Sequence, residues 1–181
     1  MAISDCTLAA VATFPNTIIQ TPYGAFALPV VMIAIAGAES GWDDTSEGDL
    51  GYGGSTCDGS TSWGLWQIHN VHSAWLTNAT GSTNPCVWQQ WLSTPTNNAQ
   101  AALAIYEGQG LTAWTTYQTG AYKQYLSQAQ IAVNGAQGGA TSGAGGSPGT
   151  SPETFVGILA GVGIIAALVF GIDELEGWKI V

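Results

Sequence analysis

Hydrophobic and polar positions along the chain fall into three regimes. The first holds an apolar run, VVMIAIAGA, that follows Pro29, with Pro29 suited to a helix start and Gly41 placed to end the element. A helix apolar on nearly all sides is a buried helix. Asn98 to Tyr106 is Ala-rich and helical in character, as is Ala121 to Val133, and the Gly-, Ser- and Asn-rich stretches between them read as loops. No run of alternating positions marks a strand, so residues 1–133 are expected to form a mostly α-helical working domain. The second regime, residues 134–153, opens with NGAQGGATSGAGGSPGTSP, which has nothing from which to build a core. It reads as a flexible linker with a span of roughly 24 Å. The third, residues 154–172, is TFVGILAGVGIIAALVFGI, without charge or proline. At about 1.5 Å per residue it reaches roughly 28 Å, close to the hydrocarbon thickness of a bilayer, and is expected to be a transmembrane helix. A short acidic tail, 173–181, follows it, with Trp178 suited to the interface and Lys179 favouring a cytoplasmic C-terminus.

Composition narrows the function classes. Of 181 residues twelve are acidic, and Lys123 and Lys179 are the only bases, for a formal charge of −10. Two cations cannot neutralise a phosphate backbone, which excludes nucleic acid as a partner. Hydrophobic residues at 46% and charged residues at 8% exclude an acidic disordered tail. The expected partners include a lipid bilayer, through residues 154–172, and self or virion proteins through the Gly157/Gly161 spacing of that span. Met1 to Phe14 has an apolar piece but no basic flank, so no secretory leader is visible. The expected location is therefore a virion-associated membrane, and otherwise the bacterial envelope, with a single C-terminal anchor.

Of three cysteines, Cys57 and Cys86 lie in loop-like sequence where a disulfide between them and two free thiols are both open readings. Cys6 is left over in either. His69 and His72 are three apart with no third ligand at a usual spacing, so no metal site is expected, and no cofactor.

Glu39 carries the candidate chemistry. It closes the apolar helix one step before Ser40-Gly41-Trp42, and burial beside Ile33, Ile35, Ala36 and Ala38 disfavours its ionised form. The negative end of the helix dipole acts in the same direction. A carboxyl kept protonated near neutral pH is what a general acid needs. Asp43, Asp44, Glu47, Asp49 and Asp58 follow in the next loop, and their bland reading is a solvated acidic segment.

Three segments then occur in order: AGAESGW (36–42), TSWGLWQIHNVHSAWL (61–76) and TAWTTYQTGAYKQYL (112–126). Together they resemble the lysozyme-like lytic transglycosylases, which include relatives of goose-type lysozyme and phage muralytic domains. The resemblance covers about residues 28–128 and rests on Glu39-Ser40, Gly64-Leu65-Trp66-Gln67-Ile68 and Tyr117-Gln118-Thr119-Gly120. It implies a lysozyme-like α fold acting on peptidoglycan glycan strands. Glu39 would protonate the oxygen between N-acetylmuramic acid and N-acetylglucosamine. Ser40 would orient Glu39, Gln67 would hydrogen-bond a sugar, and Tyr117 would sit near Glu39. Trp66, which replaces the family's Met, and also Trp63 or Trp42, would offer flat faces to pyranose rings. Gln118-Thr119 departs from the family's Asn-Ala. Transglycosylation needs Glu39 alone, whereas an inverting hydrolase would need a second carboxylate about 6.5–9.5 Å away, from Asp49 or Asp58. A catalytically silent assembly protein of the same fold is the reading from a different class.

Overall fold

The computed structural model describes residues 3–51 and 56–139. Among these, the chain runs through α1 (Ile3–Thr13), a hairpin of β1 (Ile18–Thr21) and β2 (Gly24–Ala27), and α2 (Leu28–Ser40). A small sheet follows, from β3 (Glu47–Gly48), β4 (Ser62–Trp63) and β5 (Ile68–His69). The rest is helical: α3 (Ser73–Thr80), α4 (Pro85–Leu92), α5 (Pro95–Gln109), α6 (Thr115–Gln118) and α7 (Leu126–Gly139).

The apolar run after Pro29 becomes α2, the axis of the domain. Pro29 sits in its first turn, where a missing N–H costs nothing, and every residue from Leu28 to Gly37 is buried. Eight of them have no accessible surface, and the six larger ones (Leu28, Val30, Val31, Met32, Ile33, Ile35) are each worth about 1.5–3 kcal/mol of burial. Gly41, in the left-handed conformation at φ +65°, closes the helix by donating its N–H to Gly37 O at 3.1 Å. α1, α7 and the turn 121–125 pack around this axis and complete the core with Ala9, Ala10, Tyr122, Leu126 and Val133. Two indoles also reach it: Trp42 Nε1 donates to Ile33 O at 2.9 Å and Trp66 Nε1 to Met32 O at 2.8 Å.

The strands are a correction to the sequence reading. The hairpin pairs Ile18 with Ala27 through Thr21 with Gly24, and feeds straight into α2, whose Leu28 N–H is held by Thr17 O at 2.7 Å. The second sheet, ordered β3-β4-β5, is antiparallel, with Gly48 opposite Ser62 and Ser62 opposite His69. Strands two residues long cannot display an alternating pattern, so the sequence gives no periodic sign of them.

Two boundaries also differ. α7 continues to Gly139, six residues into the stretch expected as linker, with Gln130 Nε2 donating to Asn134 Oδ1 at 2.9 Å one turn on. The chain divides into two compact units, Met1–Gly145 and Gly146–Val181. The second unit lies outside the described residues, and with it the expected span 154–172 and tail 173–181. Among the described residues no helix is long and apolar enough to cross a membrane. The longest, α5, has 15 residues against the roughly 20 a crossing requires. Over the described residues the architecture is accordingly corrected to a mostly α domain with two small sheets, with no transmembrane helix among them. The bilayer and virion partners and the membrane-anchored location rested on a transmembrane helix, and none of the described residues supplies one.

Candidate active site

The end of α2 and the small sheet face each other across a cleft of about 380 Å³. Glu39, in the last turn of α2, is half-buried and lines it. Thr116, on α6, closes over the carboxyl and donates from Oγ1 to Glu39 Oε1 at 2.6 Å. Burial is the main influence and raises the Glu39 pKa above the ordinary carboxylate range. The hydrogen bonds from the Thr116 side chain and backbone oppose that rise, and the charge of Asp49 adds to it. The net direction is upward, which widens the pH range over which the carboxyl keeps its proton.

Opposite stands Asp49, one residue beyond β3, in the left-handed conformation at φ +54°. The antiparallel register brings Ser62 beside it, and Ser62 Oγ donates to Asp49 Oδ2. Thr61 Oγ1 donates to Asp49 O at 3.2 Å and faces His69 Nε2 at 3.4 Å. Because His69 Nδ1 accepts from Val71 N–H at 3.1 Å, the neutral ring carries its proton on Nε2 and donates to the Thr61 hydroxyl. His72 also lines the cleft, and its pKa is lowered by burial first and by His69 second. Ile105 and Trp114 supply apolar wall. Among the described residues no group of three or more His, Cys, Asp or Glu could hold a metal ion.

The connection from β4 to β5 decides what the second motif does. Gly64 is left-handed at φ +77°, and a Cβ there would lie 2.7 Å from Leu92 O and closer still to Asn98 Nδ2. Asn98, fully buried in α5, fits this approach: its Oδ1 accepts from Trp66 N–H at 2.9 Å, and its Nδ2 donates to Trp63 O and Leu92 O at 3.0 Å each. Gln67, at φ +47°, completes the turn by donating from Nε2 to Gly64 O at 2.9 Å and Ser46 O at 3.1 Å.

Several expected roles change with this geometry. Trp66 has no accessible surface; its indole turns inward to Met32 O and packs edge-on against Phe14, so it offers no face to a sugar. Trp63 is equally buried, with Nε1 donating to Ser60 Oγ at 2.7 Å, and Trp42 packs against Tyr125. Ser40 does not touch Glu39: its hydroxyl is shared between Ala36 O at 3.0 Å and Leu65 O at 2.9 Å, fastening α2 to the Gly64–Gln67 turn. Tyr117 stacks on Tyr122 at 4.9 Å between ring centroids, and the contact expected of it belongs to its neighbour Thr116. Gln67 does line the cleft, though its amide nitrogen is taken up by backbone carbonyls. Of the two candidate second carboxylates, Asp49 shares the cleft with Glu39, while Asp58 sits exposed in the turn bridged from Cys57 to Ser60 and is not among the lining residues. Cys57 and Cys86 are joined as a disulfide with 4.8 Å between their Cα atoms, tying that turn to the start of α4. Cys6 is a buried free thiol in α1.

Thr116, Ser62 and Asn98 went unnoticed in the sequence. Ser62 and Thr116 lie inside the quoted segments, but a hydroxyl carries no signal until its partner is placed. Asn98 was read only as the start of an Ala-rich helix.

Residues 24–116, just over half of the chain, match a family model described as a lysozyme like domain. No curated protein and no solved structure matches the chain. The matched stretch runs from the first residue of β2 to Thr116, and so takes in both partners of the Glu39–Thr116 bond.

Proposed function

The chain belongs to the family of lysozyme-like domains, and we propose that it is a glycosidase acting on peptidoglycan, cleaving between N-acetylmuramic acid and N-acetylglucosamine as a lytic transglycosylase. The observation that carries this reading is Glu39: a half-buried carboxyl with a raised pKa, lining a cleft and held by hydrogen bonds from Thr116. As general acid, Glu39 protonates the glycosidic oxygen while the bond to the muramoyl C1 breaks. The resulting carboxylate takes the proton from the muramoyl C6 hydroxyl, whose oxygen attacks C1. A 1,6-anhydro end forms, no water is consumed, and Glu39 is returned to its protonated state. A positioned acid of this kind contributes about 10²–10⁴-fold in rate. No cofactor enters the balance.

Asp49 supports a second reading. It lies in the same cleft and its charge is felt by Glu39, which supports a hydrolytic, inverting reaction in which Asp49 acts on a water. The two readings leave different chemical ends. The protein would be incubated with purified peptidoglycan and the soluble muropeptides identified by mass spectrometry. Anhydro-muramoyl ends, lost in Glu39→Gln, support transglycosylation. Reducing ends support hydrolysis. Release that is equal in wild type and Glu39→Gln, or absent from several wall types, overturns the glycosidase reading.

A further inference from the structure

A second cavity, of about 440 Å³, shares no lining residue with the Glu39 cleft. It is walled by Asp5, Leu8 and Ala9 of α1, by Asp44 from the loop after α2, and by Pro95 and Thr96 at the start of α5. Asp44 is the anomaly here. It is only 4% exposed, and its Oδ1 is buried with no hydrogen-bond partner. Its neighbour Asp43 is served locally, accepting from Thr45 N–H at 2.9 Å and Thr45 Oγ1 at 2.7 Å. A buried carboxylate oxygen without a donor is costly, and such groups are normally paired. The chain has almost nothing with which to pair it. Of its two lysines, Lys123 lies over the Tyr23 ring at 4.8 Å, and Lys179 lies outside the described residues.

The lining states the chemistry of the missing partner. Two carboxylates and the Thr96 hydroxyl give three acceptor groups, which matches the three N–H donors of a primary ammonium. Leu8, Ala9 and Pro95 are apolar, and Leu8 is 61% exposed, leaving a wall along which a methylene stem can lie. A bare divalent ion suits the site less well. It would fill a small part of the volume, and among the described residues no set of three or more acidic, His or Cys ligands converges. We propose that this groove binds a primary ammonium group carried on an alkyl stem, with Asp44 as the central acceptor and Asp5 and Thr96 beside it. The donor with this chemistry is the lysine or diamino-acid side chain of a peptide. The inference stands apart from the reading of the Glu39 cleft.

The test is a titration of the full-length, ¹⁵N-labelled protein at pH 7.5 with Nα-acetyl-lysine N-methylamide. The norleucine analogue serves as uncharged isostere and calcium chloride as cation control. The expected result is a saturable shift of the Asp5, Asp44 and Thr96 amide signals with the lysine probe. Affinity should fall about tenfold or more with the norleucine analogue and in Asp44→Asn. Asp5→Asn, at the more exposed carboxylate, should weaken binding several-fold and serves should Asp44→Asn not fold. Two results overturn the proposal: a saturable response to calcium in place of the lysine probe, and no response to the lysine probe at all.

Discussion

Thr116→Val removes one hydroxyl from the cleft and nearly nothing else, since the two side chains have almost the same shape. Wild-type Thr116 Oγ1 donates to Glu39 Oε1 at 2.6 Å, and a donor of this kind favours the charged carboxylate. A hydrogen bond to a charged group contributes about 1.5–3 kcal/mol. Loss of the hydroxyl should therefore raise the Glu39 pKa, while the Thr116 backbone hydrogen bond, which lowers it, survives the substitution. A general acid works only while protonated, so activity falls as pH rises through its pKa, and a higher pKa moves that alkaline limb to higher pH. The assay is kcat/KM for muropeptide release between about pH 4 and pH 9. Thr116→Ser, which keeps the donor, should give the wild-type profile. An alkaline limb that stays in place or moves to lower pH in Thr116→Val would refute the assignment of Glu39 as the acid that Thr116 tunes.

Four further outcomes follow from the same geometry. Asp49→Asn removes a charge that raises the Glu39 pKa, so the alkaline limb should move to lower pH; if reducing ends are the product it should also abolish their release, which anhydro ends would not show. Glu39→Gln should melt higher than wild type at pH 7: a carboxyl whose pKa is raised on folding contributes stability below its unfolded pKa and loses it as pH rises through the folded one, so the difference should vanish below about pH 4. Asn98→Ala strips partners from Trp66 N–H, Trp63 O and Leu92 O in the core and should cost about 3 kcal/mol or more in urea unfolding, while a loss below about 1 kcal/mol would contradict the clamp. Replacing Cys57 and Cys86 together by Ala opens a closure across 29 residues of sequence and should cost about 3–4 kcal/mol, with dithiothreitol lowering the Tm of the wild type only.

The parts of this molecule legible in its sequence are those fixed by neighbours along the chain. Pro29, the apolar run and Gly41 define α2 within one or two residues of its observed limits, and the place of Glu39 in its last turn follows from them. What distant contacts decide is less visible. Trp66 looked like a surface aromatic because its motif was read as cleft lining, yet the left-handed Gly64 and Gln67 turn the chain so that its indole points into the core. Tyr117 lies one residue beyond Thr116, the side chain that meets Glu39. α6 is only four residues long, and its phase is set by Trp114, whose Nε1 donates to Trp66 O at 3.0 Å. α1 and α3 are hard to see as helices because Ala, Thr, Ser and Asn in short stretches resemble loop as much as helix, and α4 because it is only eight residues long.

A helix that is greasy all the way round has no intrinsic up or down. Burial holds α2 in the middle of the domain, yet it is nearly indifferent to rotation about the helix axis, since every face presents similar side chains. The direction in which Glu39 points is a rotational angle, and something polar has to index it. The indoles of Trp42 and Trp66, hooked onto the Ile33 and Met32 carbonyls, and the Ser40 hydroxyl, hooked onto Leu65 O, are the marks on that dial. The aliphatic residues of α2 set how firmly the domain holds together, and these few hydrogen bonds set where its acid is aimed.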